Sequence, residues 1–439
     1  MILRVSPSLL SGEVQAPPSK SVMQRLLAAS LLADGETWIH NPSESDDCTA
    51  GMAAIAGLGA EIELGESAMR VRGTHGQIQP RQFTLELGES GLGMRLFGVL
   101  ASLSPTPLHL HASGSLAQRP MDPMVDMLNR MGGRTRWQSK GPEAGLHITQ
   151  NIQVPSTPLL IDGSVSSQFL TGLLMTLPVL HGIHPIVLEV DQLKSKPYVE
   201  MTLEVLEDFG IRIDVNPDFT RFEIPLNQRY KGGFETHVDG DWSGAAALLV
   251  AGMLAADGEV TIEGLSGTYT QADEAIRGAL LFAGGAMSGT EFGVKVARRP
   301  VRAFSIDLTD SPDLFPVLTA LAAFGQKTSQ MKGLHRLQHK ESNRGVILQQ
   351  ELAKCGIDVA LDSNRDELIV HPCQRKNLKA ARIDAHGDHR IAMTAALIGI
   401  AGAPIEIQGA ECVAKSYPAF FDDLEHLGGQ IAWVSKNRG

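Results

Sequence analysis

Dense runs of Ala, Leu, Met and Val recur along the chain, each opened by a few small or polar residues. They read "SKSVMQRLLAASLL" from 19, "ESGLGMRLFGVLASL" from 89 and "SVSSQFLTGLLMTL" from 164. They return as "DWSGAAALLVAGML" from 241, "DSPDLFPVLTALAAF" from 310 and "GDHRIAMTAALIGI" from 387. Apolar nearly all round, these segments are expected to be buried helices. Their starts lie roughly 70 to 77 residues apart, the length of a whole folding unit. A second, two-faced class interleaves with them, as in "DDCTAGMAAIAGLGAEI", "SKPYVEMTLEVLEDFGIRI" and "ESNRGVILQQELAKCGIDV". Each of these helices stops at a Gly placed to take the left-handed conformation of a helix C-cap, then runs into a strand. Short β-rich stretches such as "ETWIHN", "PLLIDG" and "APIEIQG" fill the gaps.

The pattern predicts six copies of one unit, three in each half, divided near "HVDGDWS" (237–243). The first strand, "MILRVSPS", precedes the first copy and is expected to pair with the C-terminal half. One domain then spans 16–240 and the other 1–15 plus 241–439, with the chain crossing twice, near 15–19 and 238–241. A buried helix can still expose its N-terminus, which offers unpaired N–H groups and positive partial charge. Six such ends are expected to face one cleft.

Composition narrows the function. The chain has 439 residues, is 43% hydrophobic and carries a formal net charge of −11, which argues against nucleic acid or an anionic membrane as the main partner. The longest apolar run, 391–405, is too short and too rich in small residues for a membrane span and is expected to be a buried helix. The first residues lack the apolar core of a signal peptide. Four cysteines without a CxxC pair suit reduced thiols in the cytoplasm.

Against this acidic background the cations at the helix starts stand out. The first start carries Lys20, Ser21 and Arg25, and the second Glu89, Ser90, Gly91 and Arg95. The third carries Ser164, Ser166, Ser167 and Gln168, the fifth Asp310 and Asp313, and the sixth Asp388, His389 and Arg390. Arg119, Ser195, Lys196, Tyr198, Lys340, Glu341, Arg344 and Lys415 sit at or near other helix starts. Cations at the positive end of a helix are mutually destabilising unless an anion neutralises them. Serines and N–H groups suit a phosphate, and Arg guanidinium forks suit a carboxylate or a second phosphate. Taken singly, each has an ordinary reading: a solvated cation, a cap, an N-terminal acid. The Asp and His of "DAHGDHR" match no metal-ligand spacing. Recurrence at equivalent places in the repeat points to an anionic ligand.

In this order, "SKSVMQR", "GSVSSQFLTGLLM", "SKPYVEMTL", "HKESNR", "GDHRIAM" and "AKSYP" closely resemble the 5-enolpyruvylshikimate-3-phosphate synthases, over almost the whole chain. The resemblance implies an α/β fold, a two-domain inside-out α/β barrel of six βαβαββ repeats. It implies transfer of the enolpyruvyl group of phosphoenolpyruvate to the 5-hydroxyl of shikimate 3-phosphate, with C–O cleavage, loss of phosphate and a tetrahedral intermediate. This is a step of the shikimate pathway to chorismate and the aromatic amino acids. No metal or organic cofactor is implied, and a cytoplasmic monomer is expected. By the same resemblance Ser166, Ser167 and Ser195 hold the phosphate of shikimate 3-phosphate. Ser21, Arg25, Gln168, Tyr198 and Lys340 line its ring or substituents. Arg119, Arg344, Arg390 and Lys415 bind phosphoenolpyruvate, with Gly91 close by, and Lys20 touches both substrates. The catalytic roles fall to Lys20, Asp313 and Glu341: Asp313 as base for the hydroxyl, Glu341 for proton exchange at the methylene carbon, Lys20 for developing charge.

The chain departs from the family's frequent pattern at Glu89, Leu92, Leu96, Arg336 and Asn343, around the phosphoenolpyruvate pocket. Glu89 would repel an anion unless it points away or pairs with a cation. UDP-N-acetylglucosamine enolpyruvyl transferases share fold and reaction type, but typically carry Asn where Ser21 follows Lys20. A non-catalytic binder of phosphorylated metabolites is the alternative from another class; it would keep the cations and lose Asp313 and Glu341.

Overall fold

The computed structural model describes residues 1–156, 158–164 and 167–434. The described chain forms two compact units. One holds Met1–Pro17, Gly240–Gly267 and Ala272–Gly439; the other holds Pro18–Asp239 and Thr268–Gln271. The chain therefore passes between units four times, not twice, because Thr268–Gln271 departs from its sequence neighbours. The cause is a set of carboxylates that takes up its backbone. Asp239 Oδ2 accepts from the N–H groups of Thr268 and Tyr269 at 2.8 and 2.7 Å, and Glu204 accepts from both the N–H and the hydroxyl of Thr270.

Among the described residues each unit carries three four-stranded sheets, and every sheet has one parallel pairing at an edge followed by two antiparallel pairings. In the unit begun at Pro18, Phe234–His237 lies parallel to Glu36–His40, closing the first sheet with the unit's last strand. In the other unit two N-terminal strands complete sheets made far downstream. Ile2–Ser6 runs antiparallel to both Ile405–Gln408 and Gln430–Val434, and Leu10–Gln15 runs parallel to Ala256–Glu263. The first strand thus pairs with the C-terminal half, as its position before the first repeat implied.

The six apolar segments form the helices Lys20–Leu32, Gly91–Ala101 and Gln168–Thr176 in one unit, and Trp242–Ala255, Phe315–Ala323 and His389–Ala401 in the other. All fourteen residues of Trp242–Ala255 are buried. These helices are the core, and small residues let them approach: a Cβ on Gly172 would collide with the carbonyl of Arg95. The two-faced helices lie outside, and each is followed by a Gly with positive φ, at 59, 132, 210, 284, 356 and 428. That regularity is the repeat seen in the sequence, since only Gly takes this conformation at no steric cost. Among the described residues no helix is long and apolar enough to cross a membrane.

Candidate active site

In the unit begun at Pro18, polar side chains stitch together the N-terminal turns of the buried helices. Ser19 caps Lys20–Leu32, accepting from the N–H of Val22, and Ser90 caps Gly91–Ala101, accepting from Gly93. The Gln24 amide donates to Ser90 Oγ at 3.3 Å, and Arg95 Nη1 donates to Gln168 Oε1 at 3.0 Å. Arg25 is 1% exposed and donates to neutral acceptors: the Thr202 and Thr171 hydroxyls and the carbonyls of Ser21 and Tyr198. Its guanidinium lies 6.0 Å from the Tyr198 ring centroid. Burial pulls its pKa down to about 10, so it stays charged at neutral pH. With no carboxylate paired to it among the described residues, Arg25 is a fixed cation suited to an incoming anion.

Lys20 has an acid beside it: its Nζ donates to Asp47 Oδ2 at 3.0 Å, from the first turn of Asp46–Gly57. The acid next to Gly91 points away: Glu89 Oε2 accepts from the N–H and hydroxyl of Ser115, at the start of the 3-10 turn Gly114–Gln118. Gly91 itself is required by a close approach. A Cβ there would run into Arg119 Nη1, and Arg95 Nη1 lies 3.3 Å from the same point. Two guanidinium groups thus stand at the start of one helix. Ser195, 4% exposed, sits in left-handed backbone (φ 56°) ahead of Lys196–Asp208. That conformation is strained for any residue with a Cβ and is kept where surroundings or function demand it. Ser167 is buried beside Gln168, while Ser166 lies outside the described residues.

The other unit gathers its candidates around one guanidinium. Arg344, 1% exposed at the start of Arg344–Lys354, donates to three carboxylates: Asp313 at 2.6 Å, Glu341 at 2.6 Å and Asp388 at 2.8 Å. Lys340 Nζ donates to Asp313 at 3.0 Å, and Arg390 Nη2 stands 3.9 Å from its second oxygen. Asp388 caps His389–Ala401 through the N–H of Arg390 and also accepts from the Ser342 hydroxyl. Lys415 Nζ donates to the carbonyl of Gly387 at 2.7 Å. Burial acts to raise the Asp313 carboxyl, but Lys340, Arg344 and Arg390 outweigh it and hold it well below the carboxylate range. Burial lowers Lys340, with Asp313 opposing. Of the "DAHGDHR" side chains, Asp388 and Arg390 belong to this network, while Asp384 accepts from the N–H of His386, whose ring meets Glu351 at 3.0 Å. Among the described residues no cluster of metal-ligating side chains occurs.

Asp313, Glu341, Lys340, Arg344 and Arg390 are thus one contact network. Lys20, Ser21, Arg25, Gly91, Arg119, Gln168, Ser195 and Tyr198 belong to the other unit. Sequence reasoning missed Asp47 as the partner of Lys20, Arg95 as the anchor of Gln168, and Asp388 as the partner of Arg344. A helix-start signal existed for Asp47 and Asp388, but no local pattern names a partner 27 or 44 residues away. Of the departures, Leu92 and Leu96 are buried, Asn343 caps Arg344–Lys354 by accepting from Val346, and buried Arg336 donates to the carbonyl of Thr309.

The model of one family, described as EPSP synthase (3-phosphoshikimate 1-carboxyvinyltransferase), matches residues 5–424. A 3-phosphoshikimate 1-carboxyvinyltransferase of Clostridium kluyveri is 34% identical over 97% of this chain and 97% of its own. One of Korarchaeum cryptofilum is 33% identical over 98% of this chain and all of its own length. A solved EPSP synthase from Acinetobacter baumannii superposes with a TM-score of 0.80 at 22% identity, covering 98% of this chain and 100% of that one, a likeness of fold.

Proposed function

The chain belongs to the EPSP synthase (3-phosphoshikimate 1-carboxyvinyltransferase) family, and from that premise we propose which of its residues carry the transfer of enolpyruvyl from phosphoenolpyruvate to shikimate 3-phosphate. Ser166, Ser167 and Ser195 take the 3-phosphate. Ser21, Arg25, Gln168, Tyr198 and Lys340 hold the ring and its carboxylate. Arg119, Arg344, Arg390 and Lys415, with the glycine edge at Gly91, take phosphoenolpyruvate, and Lys20 serves both. The observation that carries this reading is the pairing of Asp313 and Glu341 on the single guanidinium of Arg344. It supplies two proton-transfer carboxylates beside cations that suit an anionic substrate.

Addition needs a proton removed from the 5-hydroxyl and one delivered to the methylene carbon. Asp313 accepts the first and Glu341 delivers the second, giving the tetrahedral intermediate. Elimination then breaks the C–O bond to phosphate as Glu341 takes back a proton from the new methyl group, and the proton held by Asp313 leaves with the phosphate. Lys20 offsets the charge that gathers on the departing phosphate. An anionic substrate drawing on Arg344 and Arg390 relieves Asp313 of positive charge, so the base gains proton affinity when the reactant arrives. The cations also offset repulsion between two anionic substrates, so positioning and electrostatics dominate. The same reading makes the protein a cytoplasmic monomer, in keeping with its four free thiols.

The direct test is phosphate release from phosphoenolpyruvate with shikimate 3-phosphate, against the same assay with UDP-N-acetylglucosamine. Release only with the former is expected; release only with the latter would overturn the reading. A second expectation concerns Gly91→Ala, whose methyl displaces the Arg119 guanidinium. The KM for phosphoenolpyruvate should rise about tenfold, the worth of one charge-assisted hydrogen bond. Calorimetric binding of shikimate 3-phosphate should change little; an unchanged KM would exclude Arg119 from that pocket.

A further inference from the structure

A second acid lies close to Asp313 and has no role in the scheme above. Asp273, 2% exposed, sits in the 3-10 turn Ala272–Ala275. Its Oδ2 accepts a short hydrogen bond from the Ser243 hydroxyl, and its Oδ1 has no partner among the described residues. Ser243 turns its carbonyl to Arg390 Nη1 at 2.9 Å, and Arg390 reaches on to Asp313. The two acid-bearing turns are also tied directly, since the Ser311 hydroxyl donates to the carbonyl of Ala272 at 2.7 Å. Asp273, Ser243, Arg390 and Asp313 therefore form a continuous relay, one end of which is the proposed base.

We infer that Asp273 is a positioning residue for the reaction: through Ser243 and Arg390 it sets how much positive charge bears on Asp313. The inference rests on the reading of Asp313 as the base. With Asp273 ionised, Arg390 divides its charge between two carboxylates. With Asp273 neutral, Arg390 leans on Asp313 alone, whose capacity to take a proton falls.

The surroundings bring this acid into the working range. Burial, then the charge of Asp313, push Asp273 up to about 6; Arg390 and the Ser243 hydroxyl oppose, and Asp241 adds to the rise. These groups face it from the turn Pro312–Leu314, the first turn of His389–Ala401 and the start of Trp242–Ala255. Glu274, on its own turn, points outward to Arg277 at 2.8 Å. Asp313 is held far too low to titrate near pH 6 in the free protein. The folded-state pKa of Asp273 is raised, so its stabilising contribution is full below about pH 4 and lost as pH rises through about 6. A charge kept at a cost in stability is characteristic of a functional site.

The test compares Asp273→Asn with the natural protein in kcat/KM from pH 5 to 8.5. The natural protein should lose activity below about pH 6, and the variant should lie about tenfold lower at pH 8 and show a correspondingly shallower acid limb. Substrate phosphates also titrate near pH 6, but their part survives in the variant, so the difference belongs to Asp273. The loss should fall on kcat, with KM for phosphoenolpyruvate no higher, because the site has gained positive charge. The variant should melt at the same or a higher temperature at pH 7.5, where a merely structural role predicts a lower one. Ser243→Ala removes a hydroxyl that favours ionised Asp273 and should move the acid limb to higher pH. An unchanged profile in either variant, or a lower melting temperature with kcat and KM worsening together, overturns the inference. Normal turnover of Asp313→Asn would instead defeat the assignment of the base, independently of these profiles.

Discussion

Asp313→Asn is expected to reduce kcat by about 10²–10⁴-fold, the range that a positioned general base supplies. The amide keeps the size of the carboxyl and an oxygen for Lys340 or Arg344, but cannot take up the hydroxyl proton. Binding should survive: the Arg25 cluster belongs to the other unit, so the Kd for shikimate 3-phosphate should stay within about threefold, under 1 kcal/mol. Single-turnover phosphate release together with calorimetric binding separates the two effects. Turnover within threefold of the natural protein would remove Asp313 from the chemistry.

The largest effect on stability is expected at Arg344. Its guanidinium is 1% exposed and faces Asp313, Glu341 and Asp388, the last 0% exposed. Arg344→Met keeps most of the volume and strands buried carboxylates with less counter-charge, a loss of about 3–5 kcal/mol for a broken buried pair. Denaturant unfolding at pH 7.5 should show the full loss. Acidification should recover part of it, because the stranded acids can then take protons. Turnover should vanish at every pH. An unfolding midpoint equal to that of the natural protein would mean that the three contacts contribute nothing net.

The repeat was legible because its signals are local. Fourteen consecutive buried residues at Trp242–Ala255 need apolar side chains on every face, and a helix that stops at Gly284 or Gly356 declares its end within two residues. The ordered motifs likewise marked most of the candidate site, since Lys340, Glu341 and Arg344 share one short stretch. What escaped notice depends on distant pairings. Glu89 looked like a repulsive acid beside Gly91, and only the fold directs it to Ser115. Lys20 looked like an uncompensated cation, and Asp47 answers it from another helix. Asp273 lies in an unremarkable amphipathic segment, and nothing in "TQADEAIRG" tells that its side chain is sealed against Ser243. Thr268–Gln271 changes unit because three acidic side chains elsewhere bind it, an arrangement with no periodic trace.

The N-terminal strands set a calendar for synthesis. Ile2–Ser6 finds its neighbours only at Ile405–Gln408 and Gln430–Val434, and Leu10–Gln15 waits for Ala256–Glu263. On the ribosome, the unit begun at Pro18 has nearly all its residues well before Ile2–Ser6 has either mate. Translation therefore leaves Ile2–Ser6 idle until residues 405–434 have been made. A truncated message yields one finished half carrying an unsatisfied ribbon at its front, an open edge of the kind that recruits other chains.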